Sequence, residues 1–428
     1  MGETRCPQLC PVPASLPEPL RMAACGHRPP RRQPTQSYGG NVVSCFDVDI
    51  QHKLTRLAER NAGGRSLEYF CAQIFGHLLR VDQRRWAHAY LAALLATPGK
   101  KSINRLARAV SASPAAAQSL RQFVNVSPWN WRPALNELAS WAGTHRSVSA
   151  WSIGRAFLPK RGERSVGVHR HYDPLADRTL NCQLGYGAFL CVEGAHIPAA
   201  WELSLPGPWS ENAQLRRRTR IPDAERYRPM YAHALDLVDS LAAQARCVPP
   251  IVADLSDEPE VGPLIEGLDQ RGHTFVVGVP PHLPLVLGER PREGPLAPAA
   301  QHFVSSGASM EAMVPGAGET GHRITQVLSA PVHLPLPTSR RSATGLCRLF
   351  GKRAAGGCPD RIWITNVRRR GLSEAVGLTE LSAGPATAVS AMARWFGLFD
   401  FEGRSFPGWH HHMTLVSAAY AYGRLGNP

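Results

Sequence analysis

The strongest constraint on what this chain can fold into is a change of hydrophobic period near Ser149. Beyond it, Ala150–Ala156, Thr179–Val192 and Ile197–Leu205 read as three consecutive strands with turn residues between them. Glu225–Ala245 then takes up a helical period, with Met230, Ala234, Leu237, Val238 and Leu241 on one face. Pro250–Asp254 is a short buried strand ending in an acid. A helix near Val261–Gln270 leads into a further strand at His273–Val279. Three meander strands, a helix, then strands alternating with helices predict an α/β domain on a mixed sheet flanked by helices.

Upstream, the pattern is all helical. Over Leu54–Leu95, Leu54, Leu57 and Ala58 share one face, and Trp86, Tyr90, Ala93 and Leu94 another. Ser102 stands where it would cap a helix faced by Ile103, Leu106, Ala107 and Val110. Ser113-Pro114 then precedes a second helix faced by Ala116, Leu120, Phe123 and Val124. Two short helices joined by Ser111-Ala112-Ser113 fit a helix-turn-helix with Gln118, Arg121 and Gln122 outward. The same pattern also fits a plain helical hairpin.

Residues 280–325 are rich in Pro, Gly and Ala and read as an insertion or a mobile loop. Arg361–Asn366 reads as a strand, and helices are expected over 371–397 and 409–423. The predicted organisation is a disordered tail over 1–38, a helical DNA-binding region over 39–147 and a first catalytic-type segment over 148–279. The insertion at 280–325 and a C-terminal part at 326–428 complete it.

With 428 residues, 43% of them hydrophobic, the chain is long enough to bury a full core in two packed units. Its 48 Lys and Arg against 33 Asp and Glu leave a net charge of +15, which favours a polyanionic partner. No apolar run reaches the roughly 18–20 residues of a membrane span, and the N-terminus lacks the apolar core of a secretory signal. Cys71, Cys182, Cys191 and Cys247 sit in apolar segments as free thiols, the usage of a reduced, cytoplasmic protein. Cys6, Cys10, Cys25 and His27 lack the tight paired spacing of a zinc site.

The run Phe157-Leu158-Pro159-Lys160-Arg161-Gly162, continuing to Val168, then Tyr172 and Asn181-Cys182-Gln183, carries a resemblance. It is similar to the first-strand region of bacterial insertion-sequence DDE transposases, which are RNase H-like endonucleases. Tyr90-Leu91-Ala92-Ala93-Leu94-Leu95, Trp129-Asn130-Trp131, Phe401–Ser405 and Gly408-Trp409-His410-His411-His412 extend the likeness from about Trp86 to Tyr422. The resemblance implies an RNase H-like α/β fold, duplex DNA as partner, a homodimer, and two Mg (or Mn) ions held by three acids. It further implies DNA contacts at Gln118, Arg121, Lys160, Arg161, Arg164, Arg216, Arg217, Arg218, Arg404 and His412.

The likeness breaks at the acids. The first should follow the strand Ala150–Ile153, where Gly154 and Arg155 stand; the third falls on Ala386, in a register anchored on Gly397-Leu398. Only the second, Asp254, keeps its carboxylate and is the expected catalytic and metal-binding residue. The expectation is a transposase-like protein with a degenerate triad that binds DNA without cutting it. Two alternatives stand beside it: an active enzyme using Asp254 with the unaligned Asp257, Glu258, Glu260 or Glu402, and a decayed remnant or interaction scaffold. His410, His411 and His412 lie on a helix, where successive side chains point roughly 100° apart, so they read as packing groups rather than a metal cluster.

Overall fold

In the computed structural model, residues 65–173, 177–289, 296–306, 308–315, 322–335, 345–353 and 359–426 are described, all within the unit Phe46–Pro428. The tail expected over 1–38, the helical pattern before residue 65, and Cys6, Cys10, Cys25 and His27 lie outside the described residues.

Five helices come first: α1 (Arg65–Phe75), α2 (Val81–Ala96), α3 (Ile103–Val110), α4 (Ala116–Asn125) and α5 (Arg132–His145). The apolar faces read from the sequence are the ones buried. Leu106 and Ala107 on α3, and Ala116, Leu120, Phe123 and Val124 on α4, pack inward while Gln118, Arg121 and Gln122 stay exposed. Ser102 occupies the N-cap position of α3 without a side-chain hydrogen bond. Ser113 Oγ instead accepts from the Ala115 amide at 3.3 Å, so α4 starts at Ala116, two residues beyond Pro114.

The sheet begins with β1 (Val148–Pro159), β2 (His169–Asp173), β3 (Arg178–Val192) and β4 (Ala195–Leu203). Strand β3 is antiparallel to β1, and its other edge carries β2 along the first part and β4 along the rest. Two short helices, α6 (Pro208–Glu211) and α7 (Ala213–Thr219), precede α8 (Met230–Ala242). The chain then re-enters the sheet as β5 (Ile251–Asp254), parallel to β1. After α9 (Gly262–Gln270) it adds β6 (Phe275–Val279), parallel to β5. The order β4-β3-β1-β5-β6, antiparallel and then parallel, is the RNase H-like arrangement.

The sheet does not stop at β6. Beyond it lie β12 (Ile362–Thr365), β11 (Cys347–Lys352) and β10 (His322–His333), with β7 (Pro284–Leu287), β8 (Leu296–Pro298) and β9 (Ala308–Pro315) completing that side. The described part of residues 280–325 is more regular than the loop expected of its Pro and Gly content. It holds β7, β8, α10 (Ala299–Ser306), β9 and the start of β10. Proline is tolerated here because it stands at strand ends, such as Pro284 and Pro298.

The helical stretch expected over 371–397 is two helices, α11 (Leu372–Thr379) and α12 (Gly384–Phe396), broken by a 3₁₀ turn at Glu380–Ala383. The chain closes with α13 (Phe406–Leu425), capped by Ser405 Oγ on the Gly408 amide at 3.2 Å, with Pro407 in its first turn.

Alternate strand residues feed two clusters, as a period of two requires. Ile251, Ala253 and Val277 join the main core, while Ala150, Val252 and Val276 pack with Leu372, Ala375 and Val376 of α11. Helix α13 touches α2, α4, α5, α12 and β4 and is buried nearly all round, so it shows no amphipathic stripe.

Candidate functional site

The site is built at the carboxyl end of β5. Trp151, Ser152 and Ile153 of β1 lie beside Ile251, Val252 and Ala253, so the next pair in register is Gly154 and Asp254. Successive strand residues alternate faces. Gly154, rather than Arg155, thus shares the face of Asp254. On the other side Asp254 neighbours Gly278 of β6, where an added Cβ would lie 2.7 Å from Asp254 Oδ1. The glycine leaves room for the carboxylate. At Gly154 the space is already taken, because a Cβ there would sit 2.3 Å from Cβ of Pro385, in the first turn of α12. The start of α12 is packed down on the point where a first acid would stand.

Gly154, Arg155, Asp254, Asp257, Arg361 and Ala386 all line one cavity of about 480 Å³. The three positions singled out by sequence are therefore neighbours. The polar wiring of the cavity runs between arginines and acids. Arg361, just ahead of β12, donates to Asp254 Oδ2, while Oδ1 accepts from Ser256 Oγ at 2.8 Å. Arg155 reaches the loop after β5 and donates to Asp257 Oδ1 at 2.7 Å and to Glu258 Oε1 at 2.8 Å. Burial works against the Arg155 charge, but the hydrogen bond to Asp257 and the nearby carboxylates outweigh it and raise its pKa. Burial pushes Glu258 above the usual carboxylate range, against the pull of Arg155.

Does this donor set fit a pair of magnesium or manganese ions? Hard divalent cations need several oxygen ligands converging on one point. Among the described residues no group of three or more His, Cys, Asp or Glu is placed to hold a metal. Asp254 is paired with one guanidinium, and Asp257 and Glu258 share another. Ala386 contributes a methyl group. The residues present do not fit the two-metal arrangement.

The motif that carries the resemblance has a structural explanation. Asn181 Nδ2 donates to the Lys160 carbonyl at 2.9 Å, the Lys160 amide to the Asn181 carbonyl at 2.8 Å, and buried Gln183 Nε2 to the Val166 carbonyl at 2.7 Å. Asn181 and Gln183 thus pin the loop 160–168 against β3. The Val166 amide donates to the Arg404 carbonyl at 3.1 Å, joining this loop to the segment before α13. That segment also meets the α3–α4 pair: Arg121, Asn125 and Lys101 share a small cavity with Glu402 and Gly403. Exposed Arg161, Arg164 and Arg404 therefore flank one junction, and Gln118 and Arg121, hydrogen-bonded to each other at 3.2 Å, stand on the adjoining helix.

Three expected DNA contacts are placed otherwise. Lys160 Nζ donates inward to the Phe401 carbonyl at 2.8 Å, and burial lowers its pKa to about 8. Arg216 is buried and spends its guanidinium on carbonyls, including Pro222 O at 2.8 Å, whereas Arg217 and Arg218 are exposed on α7. His412 is buried too, with Nε2 at 3.1 Å from the Leu398 carbonyl. The basic run on this short helix turns one residue inward, Arg216.

His410 and His411 complete an aromatic stack, His410 on Trp131 with centroids 4.3 Å apart and His411 on Trp129 at 3.9 Å. The His411 ring nitrogens lie 2.8 Å from the Val124 and Trp129 carbonyls, and the neutral ring donates to one of the two. The Trp-Asn-Trp and His-His-His motifs are two halves of one packing unit.

Sequence reasoning missed Arg361 and Pro385. No local pattern marks either one, since each acts on a residue far away in the chain. The fold and the position of Asp254 define an RNase H-like, nuclease-type domain. Residues 73–302, more than half of the chain, match the family model of the DDE superfamily endonucleases, and the chain belongs to that family. Members act on DNA and generally use divalent metals such as magnesium. No curated protein of matching sequence was found. Among the described residues no helix is long and apolar enough to cross a membrane.

Proposed function

We propose that this chain is a transposase-like protein of insertion-sequence type that holds duplex DNA, as a cytoplasmic homodimer, without cutting it. The observation that carries the reading is the cavity at Asp254, where both further family positions lack acids and the acids that remain are paired with Arg155 and Arg361. DNA contact rests on the exposed Arg121, Gln118, Arg161, Arg164 and Arg404 around one junction, with Arg217 and Arg218 on α7. Phosphate contacts of this kind release counterions, so affinity falls steeply with salt.

Gel-shift titrations at two ionic strengths, with magnesium or manganese present, test both halves. The expected result is salt-sensitive binding with intact strands. Salt-insensitive or absent binding sinks the DNA reading. Metal-dependent nicking that disappears in Asp254→Ala sinks the non-cutting one. That second outcome would favour an active transposase using Asp254 with Asp257, which lines the same cavity.

A further inference from the structure

We propose that Arg155 and Arg361 act as tethered counter-cations in this cavity, doing electrostatically and structurally what bound divalent ions do in an acid-rich site. The inference rests on the same cavity as the proposed function but is independent of DNA, and its test uses none.

Carboxylates crowded at the end of a strand repel one another unless a cation sits among them. A mobile metal ion is one solution. A guanidinium carried on the chain is another, with five donors in a planar fork that suits carboxylates and a charge that never titrates away. Both arginines here are used in that way. Arg155 reaches out from β1 and bridges Asp257 and Glu258, two of the three acids on the loop after β5. Arg361 comes from the edge of β12, two strands from β5, and closes on Asp254. Arg155 ties the loop after β5 to β1, and Arg361 ties Asp254 to the start of β12. Of the two family positions that lack an acid, Gly154 is closed by Pro385 and Ala386 offers a methyl group. The counter-charge is thus supplied from within, and removing the arginines should leave Asp254, Asp257 and Glu258 without it and free to draw a divalent cation from solution.

The test is thermal unfolding of the full chain, with and without about 10 mM MnCl₂ against a sodium chloride control of equal ionic strength, paired with manganese EPR for bound ion. The wild type should show no metal-specific rise in Tm and no tightly bound manganese. Arg155→Met/Arg361→Met should melt lower without metal, bind manganese by EPR, and recover about 2–4 °C on adding it. Arg155→Lys/Arg361→Lys keeps both charges and should stay metal-insensitive. Should the double Met variant not fold, Arg361→Met alone carries the same comparison, since that side chain is 61% exposed. Manganese bound by the wild type and lost in Asp254→Ala would overturn the proposal, as would Met variants that neither lose Tm nor gain manganese. Neither result depends on whether the protein binds DNA.

Discussion

Acidification should unfold this protein at a pH where most α/β domains remain stable, and the cause is a set of buried neutral histidines. Burial lowers His411 to about 4, His412 to about 3 and His233 to about 4, and takes His410 well down, all from an ordinary value of 6.5. The unfolded chain therefore takes up protons that the folded chain refuses. Stability is full above the unfolded value and is lost as pH falls through 6.5 toward the folded values. Between about pH 7.5 and pH 5, a histidine moved from 6.5 to about 4 loses about 2 kcal/mol. His233, His411 and His412 together lose about 6 kcal/mol over that span, and His410 adds loss of the same sign.

Two carboxyls oppose them. Burial, and then the charge of Glu225, raises Glu202 to about 7, so Glu202 gains a proton on folding and returns about 2 kcal/mol over the same span. Glu258 shifts in the same direction as Glu202. The net loss remains several kcal/mol, against a total stability of about 5–15 kcal/mol for a typical domain. Urea titrations at about pH 7.5, 6 and 5 would follow it. His412→Gln keeps a donor near the Leu398 carbonyl without a titrating ring, and should flatten the pH dependence by about 2 kcal/mol across the range. A midpoint that does not move between about pH 7.5 and 5, or an H412Q variant with the wild-type slope, would refute the assignment of these histidines as neutral core groups.

Three other outcomes are open to measurement. Gly154→Asp meets Pro385 and should cost at least about 1–3 kcal/mol in a denaturant titration, without restoring metal-dependent nicking. Gln183→Leu leaves the buried Val166 carbonyl without its donor, and a loss of about 1–3 kcal/mol with faster proteolysis near residues 160–168 is expected. If Arg121, Arg161, Arg164 and Arg404 each meet a phosphate, raising salt from about 50 to 200 mM should weaken binding roughly 10²-fold, and replacing all four with Ala should flatten that slope.

Much of the fold was legible because it is local. The strand runs at Ala150, Thr179 and Ile197, the face of α8 and the buried side of α4 follow from period alone and stand where the pattern put them. The short β2 was not, since Arg170 and His171 break any apolar alternation. Nor were β7 to β10, because prolines at strand ends look like loop punctuation until pairing is known. At the site, Gly154, Asp254 and Ala386 were placed from the family resemblance, and one cavity contains all three. The arginine pairings were not legible: Arg361 meets Asp254 across 107 residues of sequence, and nothing near either residue announces the other. Arg216 looked like a surface cation because composition does not say which side of a helix faces in, while His412, a DNA contact by resemblance alone, is the packing group its place on the helix suggested.

The placement of β12 beside β6 means that residues 73–302, the portion shared with the family, do not close on themselves. A chain cut there would present the hydrophobic β6 as a raw edge, with Val276, Val277 and Val279 open to any passing strand. Fragments designed around the homologous portion alone should clump on expression, and soluble material will require the sequence through α13.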